Sequence, residues 1–315
     1  MQWFAQAPAN IALIKYMGKD DEQKNLPANP SLSYTLPHLL SSVMLEEHSA
    51  KKDFWEPLDT PGALPFQLSL ASQERFLHHL AFIKDQFDYQ GSFVVRSSNN
   101  FPQGSGLASS ASSFAALTKC AIRAICDMQK KSIPPMEVIV NLSRQGSGSS
   151  CRSFFAPWAL WQEDKVEALH FPFDRLIHQA VIISHEEKKI SSSKAHQLVK
   201  TSSFWASRPE RATENLKQLK YALETLQWAD AFQICWREFQ DMHHLFSTCL
   251  EPFTYMTEET TQLLAILEDF WQEHGDGPLV TMDAGPNIHL LYRPDQKEVA
   301  SQFRQQYLVG NFDVL

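Results

Sequence analysis

The sequence predicts a mixed α/β protein, built as one large domain or two closely packed lobes. Three observations carry this. The chain has 315 residues, a length that suits either arrangement. Apolar strand-like runs, Ser92-Phe93-Val94-Val95-Arg96 and Ala180-Val181-Ile182-Ile183 among them, alternate with stretches whose apolar residues recur every three or four positions. The run at 92–96 passes through a small-residue loop straight into a helical pattern at Phe114, Leu117, Ala121 and Ile125.

Taken in order, the first strand runs up to Lys15 through Ile11-Ala12-Leu13-Ile14. Residues 31–36 and 41–47 read as short strands. Residues 50–65, with Trp55, Pro57, Pro61 and Gly62, read as a loop. A helix is expected from Ala71 to Phe87. After the 92–96 strand and its loop, a helix reaches about Asp127, and Pro134-Pro135 opens another to about Gln145. Residues 153–161 and 180–184 read as strands. The pattern from Arg208 to Phe246 is helical, with Leu216, Leu219, Leu223 and Leu226 three or four apart. Two apolar strands flank Asp283-Ala284-Gly285-Pro286-Asn287, and a helix at about 295–307 closes the chain.

The composition excludes several classes. A net charge of −8 argues against a surface that coats nucleic acid, although it leaves room for a local basic pocket. No apolar run approaches the roughly 18 residues that mark a membrane span. The opening MQWFAQAPAN lacks a basic region followed by an apolar core, so no signal peptide is expected. The five cysteines show no CxxC pairing; their odd number and spacing fit reduced thiols in a cytoplasmic protein. His243 and His244 are adjacent, so on a helix they point about 100° apart and cannot share a metal. No zinc site is expected.

Three stretches carry chemistry. Asn99–Ser113 reads NNFPQGSGLASSASS. A strand, a loop of glycines and serines, then a helix start is the local architecture of an anion site, because the first helical amides have no intrahelical partners and point outward. Alone, the stretch also suits a serine-capped helix after a turn. It is no Walker A loop, since GxxxxGK[ST] is absent, and the GxGxxG fingerprint is absent too. Lys15 and Lys19 stand four apart; on a strand they would share a face and repel unless an anion lay between them. The third stretch, Gly146-Ser147-Gly148-Ser149-Ser150-Cys151-Arg152-Ser153, offers hydroxyl donors and a guanidinium able to grip a carboxylate with two parallel bonds.

These stretches resemble the GHMP kinase superfamily. Pro102, Gly106, Leu107, Ser109 and Ser110 match its Pro-x-x-x-Gly-Leu-x-Ser-Ser core. Within it, APANIALIKYMGKDDEQKNLPANPSLSYTL closely resembles the start of the mevalonate diphosphate decarboxylases. Met17 stands where that family usually has Trp, and Pro30 where it has Ser. GSGSSCRS differs from the family's stretch only at Ser150, and MDAGPN is intact. Ser191-Ser192-Ser193-Lys194-Ala195-His196 departs most: Ala195-His196 replaces Gly-Met, and His196 is expected to be a capping or surface residue. The resemblance spans Ala7 to Tyr292.

It implies a two-lobed GHMP-kinase α/β (α+β) fold with the active site in the cleft. The first lobe, residues 1–180, would be ribosomal-protein-S5-like and bind ATP; the second, 181–315, would be helix-rich and ferredoxin-like. The implied reaction is ATP-dependent decarboxylation of (R)-5-diphosphomevalonate to isopentenyl diphosphate, with ADP, phosphate and carbon dioxide. The implied catalytic residues are Asp283, Lys15 and Arg152. Asn10, Tyr16, Lys19, Arg75, Ser147, Gly148, Ser149 and Ser193 would bind the substrate. Pro102, Gly104, Gly106, Leu107, Ser109, Ser110 and Ser112 would bind ATP. Mg²⁺ should bridge the ATP phosphates, with no protein ligand assigned. A homodimer is implied, with no nucleic-acid or membrane partner. Two alternatives stay open: a sibling activity (a kinase stopping at 3-phosphomevalonate, or a decarboxylase of the monophosphate), and a catalytically dead ligand-sensing module.

Overall fold

The protein was analysed as a computed structural model that describes residues 1–60, 67–102, 109–186 and 188–315. Its first sheet is built on two long strands, β1 (Gln2–Ile14) and β4 (Ser31–His48), paired antiparallel. A small ribbon, β2 (Lys19–Asp21) with β3 (Leu26–Pro27), sits in the connection between them. The two strands expected at 31–36 and 41–47 are one strand in the structure. Pro8 opposes Leu40 while Ala9 opposes Leu36, so residues 37–39 bulge outward. Pro37, which has no N–H to give a ladder, falls in that bulge.

The sheet continues with β5 (Phe54–Pro57), β6 (Ser92–Asn99), β7 (Trp158–Gln162) and β8 (Lys165–Leu169), in the order β5-β6-β4-β7-β8 with β1 on β4. β5 lies inside the stretch read as a loop and pairs parallel to β6. The strand expected at 153–161 starts later, at Trp158, because Gly148–Phe154 turns as a 3₁₀ helix. Helices α1 (Leu70–Gln86), α2 (Ser109–Gln129) and α3 (Met136–Gly146) complete this half. Fully buried Ala115, Ala116, Ala121 and Ala124 let α2 lie close against β1 and β4.

The second sheet, β10 (Leu279–Met282), β11 (Ile288–Tyr292), β9 (Ile177–Ile182) and β12 (Asp313–Val314), is antiparallel in that order. It begins at Ile177, slightly ahead of the residue-180 boundary. Helices α4 (Ser192–Leu198), α5 (Arg208–Glu224), α6 (Trp228–Ser247), α7 (Glu258–His274) and α8 (Lys297–Phe303) go with it. The helical stretch 208–246 is two helices, broken where Leu226 takes a left-handed φ of 62°. The last helix is shorter than expected, preceded by a 3₁₀ turn at Pro294–Gln296 and followed by a π turn at Arg304–Leu308.

Two cores meet at β1. Ala7 packs with Phe93, Leu117 and Ile125 on one side; Ile11 and Leu13 pack with Trp158, Leu219, Phe232 and Leu290 on the other. Burying this much apolar surface fixes β1 rigidly. The strand therefore delivers the residues after Ile14 to one place, the seam between the two halves.

Candidate active site

β1 ends at Ile14, and Lys15 begins the site. Its side chain is 1% exposed and its Nζ lies 2.8 Å from Asp283 Oδ1. Asp283 comes directly after β10, so the pair joins the two halves of the chain. The Lys15 backbone is held as firmly as its side chain. Its N–H donates to Glu238 Oε1 (3.0 Å), and its carbonyl accepts from Arg208 Nη2 (3.2 Å) and Asn29 Nδ2 (2.9 Å). Glu238 and Arg208 are themselves fully buried and ion-paired. An unpaired buried charge would be costly; here each has a partner.

Burial works against the Lys15 ammonium and lowers its pKa, with Asp283 opposing that pull. For Asp283, burial alone would raise the pKa, but Lys15, His289 and Arg152 outweigh it and hold the carboxyl below its usual value. We read the pair as ionised at neutral pH, on the 2.8 Å contact.

Arg152 comes from the 3₁₀ turn behind the same wall. Its Nε donates to Asn10 Oδ1 (3.1 Å) and its Nη1 to Ser31 Oγ (2.8 Å). Asn10 also donates to Ser153 Oγ at 2.8 Å. Asn10, expected to bind substrate, is 1% exposed and lies behind the cleft wall, where it aims Arg152.

One cleft of about 310 Å³ is lined by Lys15, Tyr16, Lys19, Arg75, Ser109, Ser110, Ser147, Gly148, Ser149, Arg152, Ser193 and Asp283. Residues expected from six separate stretches thus meet. A larger groove, about 830 Å³, lies between α5 and α6 beside Lys217, Tyr221 and Arg237. It is far more apolar, and none of the expected catalytic or binding residues lines it, so the smaller cleft is the candidate site.

The details correct several expectations. Lys15 and Lys19 do not share a strand face: the chain turns at Gly18, whose φ is +81°, and Lys19 opens β2. Trp205 packs so tightly on Gly18 that a Cβ there would meet its ring at 1.9 Å. Lys19 keeps a long contact to Glu22 (3.5 Å) and still faces the cleft. Ser112 is fully buried and bonded to Ser41 Oγ at 2.7 Å, so it anchors α2 to β4 and does not face the cleft. Pro102 is absent from the cleft lining, whereas Ser109 and Ser110 open α2 onto it. Gly104, Gly106 and Leu107 lie outside the described residues. Arg75 Nη2 donates to Gly146 O at 2.8 Å, bracing the serine turn from α1.

His196 is neither a surface residue nor a cap. It is 7% exposed, its ring lies tilted against that of Tyr16 with centroids 4.4 Å apart, and its Nδ1 accepts the Gly18 N–H at 2.8 Å. Burial, with Lys19, Lys188, Lys200 and Arg152 around it, pushes its pKa down to about 3. The imidazole is neutral, and Nε2 carries its proton. Tyr16 is held protonated by burial, and its buried hydroxyl has no partner among the described residues, a donor ready for a ligand.

Two site residues escaped the sequence reading. Lys188 reaches the cleft, its Nζ donating to Ser192 Oγ (2.7 Å) and Ala284 O (3.0 Å). His243 meets Asp283 O through Nε2 at 3.2 Å. Lys188 sits in an ordinary charged run, EEKKI, and His243 points inward from a helix; neither carries a local signal.

Comparison with known proteins agrees with this geometry. Residues 7–169 match the diphosphomevalonate decarboxylase-like N-terminal domain, and residues 179–312 match the mevalonate 5-diphosphate decarboxylase C-terminal domain. The chain belongs to the diphosphomevalonate decarboxylase family. The family's enzyme from Aspergillus fumigatus is 30% identical over 94% of this chain and 78% of its own length. The crystal structure of mevalonate diphosphate decarboxylase from Legionella pneumophila is 60% identical, with a TM-score of 0.94 over 100% of both chains. A structure addressing mevalonate-diphosphate-mediated ATP binding by the Enterococcus faecalis decarboxylase is 26% identical, with a TM-score of 0.84, covering 100% of this chain and 96% of its own. The diphosphomevalonate decarboxylase fold, and with it the mixed α/β architecture of the GHMP kinases, is the fold of this chain.

Proposed function

We infer that this chain catalyses ATP-dependent decarboxylation of (R)-5-diphosphomevalonate to isopentenyl diphosphate, with ADP, phosphate and carbon dioxide. The observation that carries the reading is the meeting of Lys15, Arg152 and Asp283 in one cleft that α2 enters with its N-terminal serines. A dead ligand-sensing module would have no use for a buried ammonium poised on a carboxylate.

Each residue has work in that reaction. The substrate has a tertiary alcohol, and hydroxide leaves poorly, so the oxygen must first be phosphorylated. Asp283 takes the alcohol proton as the oxygen attacks the terminal phosphorus of ATP. Lys15, with Lys188 nearby, balances the charge of the oxygens in transfer. Arg152, aimed by Asn10 and Ser31, holds the carboxylate. When phosphate departs, carbon 3 becomes cation-like, and the carboxylate supplies electrons as it leaves as carbon dioxide. The departing phosphate takes the proton back from Asp283, and the restored negative charge of the carboxylate favours that cation. Tyr16, Lys19, Arg75, Ser193 and the 147–149 turn take the diphosphate, and the amides at Ser109 and Ser110 take ATP phosphate oxygens.

Among the described residues no cluster of three or more His, Cys, Asp or Glu side chains could hold a metal by itself. Mg²⁺ needs no such cage, since it is usually bound through one or two protein oxygens and substrate phosphates. The Asp283 carboxylate and the Ser109 and Ser110 hydroxyls in the cleft fit that need. Bound there with ATP, the ion would neutralise phosphate charge. One solved relative (27% identical, TM-score 0.87, covering 100% of this chain and 96% of its own) is a complex with MVAPP, AMPPCP and magnesium.

The same reading makes the protein a cytoplasmic homodimer with lobes at 1–180 and 181–315. Cys120, Cys126, Cys151, Cys235 and Cys249 are buried and unpaired, which suits a reducing compartment. Burial pushes Cys120 and Cys151 up to about 12, so neither is a reactive thiolate. Among the described residues no helix is long and apolar enough to cross a membrane.

Comparing substrates tests the assignment of the diphosphate. A 5-monophosphate leaves some of Tyr16, Lys19, Arg75, Ser147 and Ser193 unpaired, at roughly 1–3 kcal/mol per buried donor. Two such losses amount to about 10² at 1.4 kcal/mol per tenfold. The expected kcat/KM for the diphosphate exceeds that for the monophosphate by at least this factor, and Lys19→Ala narrows the gap. Equal efficiency would remove the diphosphate assignment while leaving decarboxylation standing.

A further inference from the structure

We propose that His196 is a specificity residue of this cleft, donating its Nε2–H to the terminal phosphate of the substrate and so favouring a diphosphate over a monophosphate. The proposal rests on the reading of the substrate as a 5-diphosphate and adds a donor that reading does not use. His196 lies in α4, lines the cleft and is 7% exposed. Ser193, which goes to the diphosphate, stands three residues earlier on α4 and shares that face. Ala195-His196 is also where the sequence departs from the family's Gly-Met, and methionine carries no donor.

Geometry fixes the tautomer. The Gly18 N–H can only donate, so Nδ1, 2.8 Å from it, must offer a lone pair. A proton on Nδ1 would set two N–H groups against each other. The single proton of the neutral ring is therefore on Nε2, and Nε2 makes no hydrogen bond among the described residues. Burial, with Lys19 foremost among the charges around the ring, keeps it neutral in the same sense. His196 is thus an uncharged donor held in one orientation.

The surroundings of the ring favour an anion. Lys19, Lys188, Lys200 and Arg152 are the charges that act on it, and all four are positive. The ring lies against Tyr16, whose buried hydroxyl has no partner among the described residues. That hydroxyl sits beside Gly148, where a Cβ would meet it at 2.6 Å. Tyr16 thus links the 147–149 turn to His196, and each of the two rings brings a donor that no described residue takes up. A phosphate oxygen suits both, since it accepts and is negative. The neutral imidazole adds a bond there without adding to the repulsion among the lysines.

The Gly18 contact decides which phosphate is met. Gly18 precedes Lys19, whose ammonium goes to the phosphate that a monophosphate lacks. One backbone turn, with Gly18 at a φ of +81°, therefore places both groups. The ATP phosphates belong to Ser109 and Ser110 at the start of α2, a different element of the wall. The His196 donor accordingly goes with Lys19 to the terminal phosphate of the substrate. A monophosphate leaves that N–H without an acceptor, and a site built to hydrogen-bond a group rejects the analogue that lacks it.

The test compares His196→Asn and His196→Gln with the parent enzyme, by kcat/KM on 5-diphosphomevalonate and on the 5-monophosphate. Asparagine sets its amide oxygen near the place of Nδ1 and keeps an acceptor for Gly18, but brings no donor to the place of Nε2. Glutamine sets its amide nitrogen near Nε2 and gives up the Gly18 acceptor. Both variants lose the ring against Tyr16, and a ratio of two substrates within one preparation is insensitive to incomplete folding. His196→Asn is expected to lower the preference for the diphosphate about tenfold, the contribution of one hydrogen bond to a charged oxygen, with the KM for ATP unchanged. His196→Gln should keep the parent's preference. If His196→Asn keeps it too, the donor is not used and the proposal falls. If His196→Gln loses it, the ring acts through the Gly18 backbone and the proposal falls as well. A parent enzyme with no preference would remove the diphosphate reading itself, whereas either variant result in a parent that prefers the diphosphate would remove this inference alone.

Discussion

Asp283→Asn is expected to lower kcat by at least about 10²-fold while the fold and ATP binding persist, the lower end of what a positioned acid–base group contributes. Asparagine fits the same space at the end of β10 and can still accept from Lys15. It cannot take a proton, and it carries no charge to favour a cation at carbon 3. A second loss comes from the pairing. The Lys15 side chain, 1% exposed, has its Nζ 2.8 Å from Asp283 Oδ1, and burial already lowers its pKa. Without the carboxylate, Lys15 tends to shed its proton and stops balancing phosphate charge. Nucleotide affinity, measured by calorimetry, should change little, because the α2 amides at Ser109 and Ser110 are untouched. Near-normal turnover would contradict the role given to Asp283.

Arg152→Lys is expected to be nearly as damaging as Arg152→Ala, although it preserves the charge. The guanidinium has Nε on Asn10 and Nη1 on Ser31, in a pocket that leaves the residue 4% exposed. Those two bonds aim the rest of the fork at the cleft. A lysine ammonium is a point donor and cannot keep both anchors while reaching the substrate carboxylate. It would leave Asn10 Oδ1 and Ser31 Oγ short of a donor inside the wall. At roughly 1–3 kcal/mol for each unsatisfied buried group, the expected loss in kcat/KM is on the order of 10²-fold or more. Full rescue by lysine would show that charge alone is needed there.

Much of the fold could be read from the sequence because its signals are local. The helix expected at Ala71–Phe87 is observed at Leu70–Gln86, and the one expected to open at Pro134-Pro135 begins at Met136 with Pro135 as its N-cap. The misreadings have a common origin in contacts distant in sequence. Residues 31–36 and 41–47 looked like two strands, yet β1 holds β4 continuous around a bulge. Lys15 and Lys19 looked like one strand face, yet Trp205, far along the chain, packs on Gly18 and the backbone turns there.

The site shows the same division. Lys15, Arg152 and Asp283 sit in compact motifs and could be named from them. Asn10 and Ser112 lie within such motifs too, but packing turns both inward, one toward Arg152 and the other toward Ser41. His196 lay at a departure from the family pattern, and only the approach of α4 to Gly18 and Tyr16 reveals its buried place. Glu238 and Arg208 support Lys15 from residues about 200 positions away, which no local pattern could disclose.

The most direct test of the central claim is the stoichiometry of carbon dioxide to ADP with (R)-5-diphosphomevalonate as substrate. A decarboxylase built on this cleft releases one carbon dioxide for each ADP formed, because phosphorylation and decarboxylation are steps of one turnover. ADP formed without carbon dioxide, leaving a stable 3-phosphorylated product, would contradict it and make the protein a kinase.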